Sequence, residues 1–328
     1  MSVLKIHLTY QCTSECAHCR FRCARDPSPA LDQDLALECI RSLHKHNDLG
    51  LVVLMGGEPG LVPDLTYGLA AEAHAMGIRV RVETNAYWAT GPDAAEAFLQ
   101  PLADAEASVM FSLDAFHEPY IPVERLEHAI QAAARLHITH NVEIPYVNVQ
   151  DHNHALDRRT DELLADLENR LNRSPCCQIY RGNVLFNGRA ADQLAPLVAT
   201  GRGVPSEVCD RVPWWSDGWQ ETADLLILDP EGYLSKGCGI AIGNVQDRAA
   251  HEILSTFDAR AHPILSTLLT DGPLGLAREA VKMGYVLRPD YADKCHLCQE
   301  ARDVLWKAYP AYLTPAQHYM KGRPRDSS

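Results

Sequence analysis

The feature that most limits what this chain can fold into is an alternation running from residue 4 to residue 185. Strand-like apolar runs at Leu4–Thr9, Leu51–Met55, Ile78–Glu83, Ser108–Leu113, Val142–Val147 and Gln178–Leu185 are separated by amphipathic helical patterns. Those patterns span Asp32–His46, Leu65–Met76, Pro92–Ala105, Val123–Leu136 and Leu156–Leu171. Strands separated by helices cannot pair as hairpins. They form a parallel sheet joined by right-handed crossovers that place helices outside it. A closed barrel of this kind takes eight strands, and six fall short. The pattern therefore predicts an α/β fold, a partial (β/α)6 TIM-like barrel.

Beyond residue 200 the pattern changes. Asp224–Ser235 reads as a hairpin around the turn Asp229-Pro230-Glu231-Gly232. Helical patterns follow at Arg248–Thr256 and Pro263–Gly284, and a last one begins near His296. The expected organisation is a barrel over 1–200, a small α+β extension over 201–315 packed against it, and a disordered basic tail over 316–328.

Composition narrows the function. The formal net charge of -13 argues against nucleic acid, which requires a basic stripe. No run of eighteen apolar residues appears and the first residues enter a strand pattern directly, so a cytoplasmic protein is expected. Eleven cysteines are an outlier. In a reducing compartment they point to metal or redox chemistry rather than disulfides.

Three of them stand directly after the first strand as Cys12-x3-Cys16-x2-Cys19. Three thiolates at this spacing can hold three irons of a [4Fe-4S] cube and leave the fourth iron open for chemistry. Zinc is the alternative occupant, with Cys23 or His18 as a fourth ligand. One β/α unit later, strand two ends in Gly56-Gly57-Glu58-Pro59. Its glycines let backbone approach a ligand closely, and Glu58 offers a carboxylate to an ammonium.

The two motifs together resemble those of the radical SAM superfamily, C-x3-C-x-aromatic-C and GGEP. The resemblance implies a [4Fe-4S] cluster on Cys12, Cys16 and Cys19 whose open iron chelates S-adenosylmethionine (SAM). It further implies reductive cleavage of SAM to a 5′-deoxyadenosyl radical that abstracts a substrate hydrogen, with electrons from a flavodoxin or ferredoxin. Gly56, Gly57 and Glu58 would meet the methionine end of SAM, and His18, at the aromatic position, the adenine. Glu83-Thr84-Asn85-Ala86 is similar to the family's T-N-G, with Ala86 in place of glycine. Phe111-Ser112-Leu113-Asp114 is similar to its S-x-D. Asn85 and Ser112 are thus expected at SAM. Asp114 and the nearby His117 are candidate substrate-facing or general-base groups. Gly188-Arg189-Ala190 resembles a tripeptide common in relatives, to which the sequence assigns no role.

A second set, Cys209, Cys238 and the late Cys295-x2-Cys298, resembles the Twitch or SPASM extension of such enzymes and implies one auxiliary [4Fe-4S] cluster. A zinc site on the same four cysteines is the alternative. Cys39 reads as a buried apolar residue. Cys176 and Cys177 are candidate hydrogen-atom donors to a substrate radical. The expected reaction is oxidation (dehydrogenation) or epimerisation of a small sugar-like or aminocyclitol-like molecule, a leaning drawn from the absence of a leader-peptide recognition domain before strand one. A peptide-modifying maturase is the alternative. A non-catalytic iron–sulfur electron-transfer module is the alternative of another class.

Overall fold

A computed structural model describes residues 2–148, 150, 152–171, 178–209 and 225–319. The expected β/α units are present. Strands β1 (Ser2–His7), β2 (Leu49–Met55), β3 (Arg79–Thr84), β4 (Ser108–Ser112), β5 (His140–Tyr146) and β6 (Gln178–Asn183) pair in parallel, each with its successor. Between them run helices α1 (Gln33–Asn47), α2 (Pro63–Ala75), α3 (Pro92–Asp104), α4 (Val123–Arg135) and α5 (Ala155–Arg170). Asp32 starts α1 by accepting a hydrogen bond from the Leu35 amide at 2.9 Å.

The hairpin expected after residue 224 joins this sheet. Strand β7 (Leu225–Leu228) pairs in parallel with β1, and β8 (Tyr233–Ser235) and β9 (Ala241–Asn244) follow antiparallel. The result is one open nine-stranded sheet in the order β6-β5-β4-β3-β2-β1-β7-β8-β9. After short helices α6 (Arg189–Gln193) and α7 (Ala195–Val198) come α8 (Ala250–Thr256), α9 (Pro263–Thr270), α10 (Gly272–Lys282) and α11 (Lys294–Leu305). Gly188-Arg189-Ala190 opens α6, with Gly188 at its N-cap. The pattern over Pro263–Gly284 is two helices, broken where Gly272 takes φ +65° against the backbone of Glu207 and Val208. Residues 316–319, assigned to the tail by sequence, are packed: His318 and Tyr319 are buried. Residues 320–328 lie outside the described residues.

Helix α8 packs on α1, and α1 to α5 pack each on the next, forming a single outer layer. Leu4, Ile6, Val52, Leu54, Val82, Phe111, Val142 and Ile144 face that layer and are fully buried with it in one apolar core. The alternate positions carry Lys5, Glu83, Ser112 and Glu143, which line a cavity. A parallel sheet covered on both faces would read as continuous apolar runs; here one face is core and the other is a polar working surface. A second apolar core forms around α9, α10 and α11. Among the described residues no helix is long and apolar enough to cross a membrane.

Because Leu54 is wholly enclosed on a central strand, Leu54→Ala should cost about 3 kcal/mol in equilibrium denaturation. Val286→Ala, at a residue 80% exposed, should stay within about 0.5 kcal/mol.

Candidate functional site

The loop after β1 sits at the carboxyl rim of the sheet, where parallel α/β folds gather their reactive groups. Cys12, Cys16 and Cys19 line one cavity of about 160 Å³ together with Gly56, Gly57 and Glu58, room for a ligand rather than a single water. His18, Asn85, Ser112 and His117 also line it. The structure therefore brings together every sequence-derived site residue of the barrel except Asp114, which lies behind His117, and the pair Cys176–Cys177, which lies outside the described residues.

The loop is held from two sides. On the first, Gly57 donates its amide to Thr9 O at 2.6 Å and Glu58 to Gln11 O at 3.0 Å. A Cβ on Gly57 would fall 1.7 Å from Gln11 O, and one on Gly56 2.8 Å from Thr9 O. The glycines thus make room for the cysteine loop itself. On the second side stands the segment to which the sequence assigned no role. Arg189 donates its amide to Cys19 O at 2.9 Å, and its guanidinium donates to Cys16 O at 2.9 Å and Cys23 O at 2.6 Å. Gly188, at φ +56°, lies so close that a Cβ would be 2.2 Å from Arg20 O.

Glu58 is buried and accepts from Thr84 Oγ1 at 2.6 Å, the Asn85 amide at 2.9 Å and the Gly60 amide at 3.0 Å. Burial pushes its carboxyl up against the effect of those donors, so a cation placed beside it would be welcomed. Asn85 turns to the loop, donating from Nδ2 to Thr13 Oγ1 at 3.0 Å and approaching Cys12 Sγ at 3.9 Å. Ala86 adopts φ +61°, the left-handed conformation that a glycine would take freely.

Asp114 does not face the cavity. Its Oδ1 accepts from the amides of Phe116 and His117, both at 2.8 Å, and its Oδ2 lies 2.7 Å from His117 Nδ1. Burial opposes charge on both partners, but the contact outweighs it, lowering the Asp114 carboxyl and raising the His117 imidazole. His18 is held down to about 4 by burial, which overrides the pull of Asp114. Donor atoms of Cys16, His18 and His117 lie within 4.8 Å of one another, the only such trio of metal-binding groups among the described residues. Cys19 and Cys23 share a thiol hydrogen bond that lowers Cys19 to about 5 and raises Cys23. Burial raises the Cys12 thiol, reinforced by Glu58. On the cavity floor Lys5 Nζ pairs with Glu83 Oε1 at 2.9 Å.

The second cysteine set converges as well. The break at Gly272 brings up the chain before Cys209, whose amide donates to Leu268 O at 3.2 Å. Cys238 follows β8 at φ +59°, and Cys295 and Cys298 occupy the first turn of α11. Burial raises the Cys295 thiol, reinforced by Asp293, Cys238, Cys298 and Cys209. One turn on, Arg302 is 1% exposed; its guanidinium donates to Cys238 O, to Tyr319 OH at 3.2 Å and to Gln299 Oε1 at 3.0 Å. It also stands as the positive charge beside Cys298. Asn187 Nδ2 reaches Cys238 Sγ at 3.6 Å. Asn187, Gly188, Arg189 and Arg302 are what sequence reasoning missed; only the Gly-Arg-Ala tripeptide gave any signal.

Residues 6–158 match the model of the radical SAM superfamily. Among solved structures, native anSMEcpe with bound AdoMet and Cp18Cys peptide aligns at TM-score 0.50 and 12% identity, over 94% of this chain and 96% of its own. BtrN in complex with AdoMet and 2-DOIA aligns at 0.48 and 13%, over 83% and 89%. Streptococcus suis SuiB bound to S-adenosylmethionine aligns at 0.47 and 13%, over 77% of this chain, which spans 65% of SuiB. At these identities the likeness to anSMEcpe is one of fold. No curated protein matches the chain significantly.

Gly57→Ala should push Gln11 aside and loosen the loop. Alkylation of Cys12 and Cys16, both buried, should then rise about tenfold in the metal-free protein, read by mass spectrometry. A pH effect should come from Asp229, which burial raises from 3.8 to about 7, offset in part by bonds from the Tyr233 and Glu231 amides. Its folded value lies above its unfolded one, so its contribution is complete below about pH 4 and is lost as pH rises through 7. Denaturation of Asp229→Asn should show a flatter pH dependence across that window than the parent protein.

Proposed function

We propose that this protein is a radical SAM enzyme whose cysteine triad, Cys12, Cys16 and Cys19, carries a [4Fe-4S] cluster, with SAM bound between that cluster and Gly56-Gly57-Glu58. The observation that carries the reading is the shared cavity: three thiols and the GGE segment line it, and backbone hydrogen bonds lock the two loops into one unit. The donor set fits the group, since cysteine thiolates are the usual ligands of such cubes and three leave one iron open. When bound, the cluster would supply the electron for reductive cleavage of SAM to methionine and a 5′-deoxyadenosyl radical able to take a hydrogen atom from the substrate. The chain supplies the rest: Glu58 holds the ammonium of the methionine moiety, Ser112 and His18 border the nucleoside, and Arg189 keeps the loop carbonyls in place. A low-potential protein such as a flavodoxin or ferredoxin would deliver the electron.

Cys209, Cys238, Cys295 and Cys298 are assigned to an auxiliary [4Fe-4S] cluster, as in the Twitch and SPASM extensions, within an extension that begins near residue 201. A single tetrahedral zinc would draw its sulfurs to about 3.8 Å of each other. No three of these thiols come within 4.8 Å of one another among the described residues. The buried Arg302 guanidinium beside them suits a group that carries net negative charge.

The substrate is read as a small polar molecule, oxidised or epimerised. Support comes from the cavity floor, where Lys5, Glu83 and Glu143 offer hydrogen-bonding and charged groups rather than an apolar wall. A second reading, a single metal ion on Cys16, His18 and His117, is favoured by their spacing alone.

Anaerobic reconstitution should give about eight irons per chain, falling to about four in a Cys295→Ala/Cys298→Ala variant, by elemental analysis. Dithionite plus SAM should release 5′-deoxyadenosine, and Cys16→Ala should lower that yield by at least about a hundredfold, on the order of 3 kcal/mol. One zinc per chain with no 5′-deoxyadenosine would overturn the reading in favour of the second. In deuterated water, label on the product carbon marks epimerisation, and its absence from an oxidised product marks dehydrogenation.

A further inference from the structure

Helix α11 serves both cysteine sets at once. It opens with Cys295 and Cys298, and the next position is Gln299, 2% exposed. The Gln299 carboxamide is bonded at both ends. Its Oε1 accepts from the Gly188 amide at 3.2 Å and from Arg302 at 3.0 Å, while its Nε2 donates to Asp303 Oδ1 at 2.7 Å and His318 O at 3.2 Å. Turning that amide would leave several buried groups unpaired. Gly188 precedes Arg189, whose amide and guanidinium hold the carbonyls of Cys16, Cys19 and Cys23. A second link runs beside the first. Asp303, one turn after Gln299, lies 3.9 Å from the Arg22 guanidinium, and His318 O accepts from Arg22 Nε at 3.2 Å. The helix that carries two thiols of the second set therefore also fixes the clamp on the first.

The start of a helix opens most easily, because its first four amides have no partner within the helix. In α11 the Asp293 side chain takes one of them, that of His296, at 2.8 Å. A group bound by Cys295 and Cys298 would pin that end, since binding to a folded site stabilises the fold that forms it. We propose that Gln299 is a positioning residue linking the two cysteine sets. Filling the second set then stabilises the clamped form of the loop that bears Cys12, Cys16 and Cys19, an inference that rests on the auxiliary-cluster reading above. A coupling between two sites is reciprocal, so filling the first set also stabilises the start of α11.

The test is anaerobic hydrogen–deuterium exchange of the full-length protein, read by mass spectrometry. In a Cys12→Ala/Cys16→Ala/Cys19→Ala variant only the second set takes up iron, and the clamp is kept because it grips backbone carbonyls. Loading that variant should slow exchange over positions 12–24 by at least about fivefold relative to its metal-free form. Adding Gln299→Leu, which keeps the bulk and removes the bonds, should erase most of that difference while the iron stays bound. In the converse arm, loading Cys295→Ala/Cys298→Ala protein should slow exchange over positions 294–305. Equal exchange with and without iron in either arm overturns this inference and leaves the cluster readings intact. Undiminished protection in the Gln299→Leu variant overturns it too, because the link would then run elsewhere. So does loss of iron in that variant, which would make Gln299 a prop for the second set alone. If the parent takes up about four irons and the triad-free variant none, the auxiliary-cluster reading fails first and this inference falls with it.

Discussion

The rest of the site depends on how the loop from Cys12 to Cys23 is clamped. It contains no helix or strand of its own, so its backbone polar groups must find partners elsewhere. Gly57 and Glu58 donate to the carbonyls of Thr9 and Gln11 just before it, while Arg189 takes those of Cys16, Cys19 and Cys23. Each clamp needs a glycine, because a Cβ at Gly57 or Gly188 would sit inside the loop's own backbone. The thiols are thereby ordered by contacts that none of them makes through its sulfur.

The same short segment ties the two cysteine sites together. Asn187 reaches the Cys238 sulfur, Gly188 donates its amide to Gln299 Oε1 on α11, and Arg189 grips the first loop. Arg22, on that loop, in turn donates to His318 O and pairs with Asp192. The added strands β7, β8 and β9 continue the sheet from β1, so the second site is built onto the edge beside the first.

Much of the fold was legible because its signals are local. Alternating apolar runs such as Leu4-Lys5-Ile6 and Val80-Arg81-Val82-Glu83 mark strands with one face in the core and one in the cavity, and Asp32 marks a helix start. The cysteine spacing and Gly56-Gly57-Glu58 were legible for the same reason. The parallel partnership of β7 with β1 was not, since Ile6 pairs with Leu228, 222 positions further along the chain, and nothing local in either strand marks the other. The break at Gly272 was hidden because its cause, the Glu207 backbone, is distant in sequence.

The sequence by itself determined the elements, the cysteine triad and the family that its motifs resemble, because each is written in short-range periodicity or spacing. Only the tertiary structure decided what Arg189, Arg302 and the Asp114–His117 pair do. Their partners are backbone carbonyls and sulfurs brought close by folding, and a carbonyl leaves no mark on the sequence. It also turned Asp114 from a candidate at the substrate into the buried support of His117, since both of its oxygens are bound before any ligand could reach them.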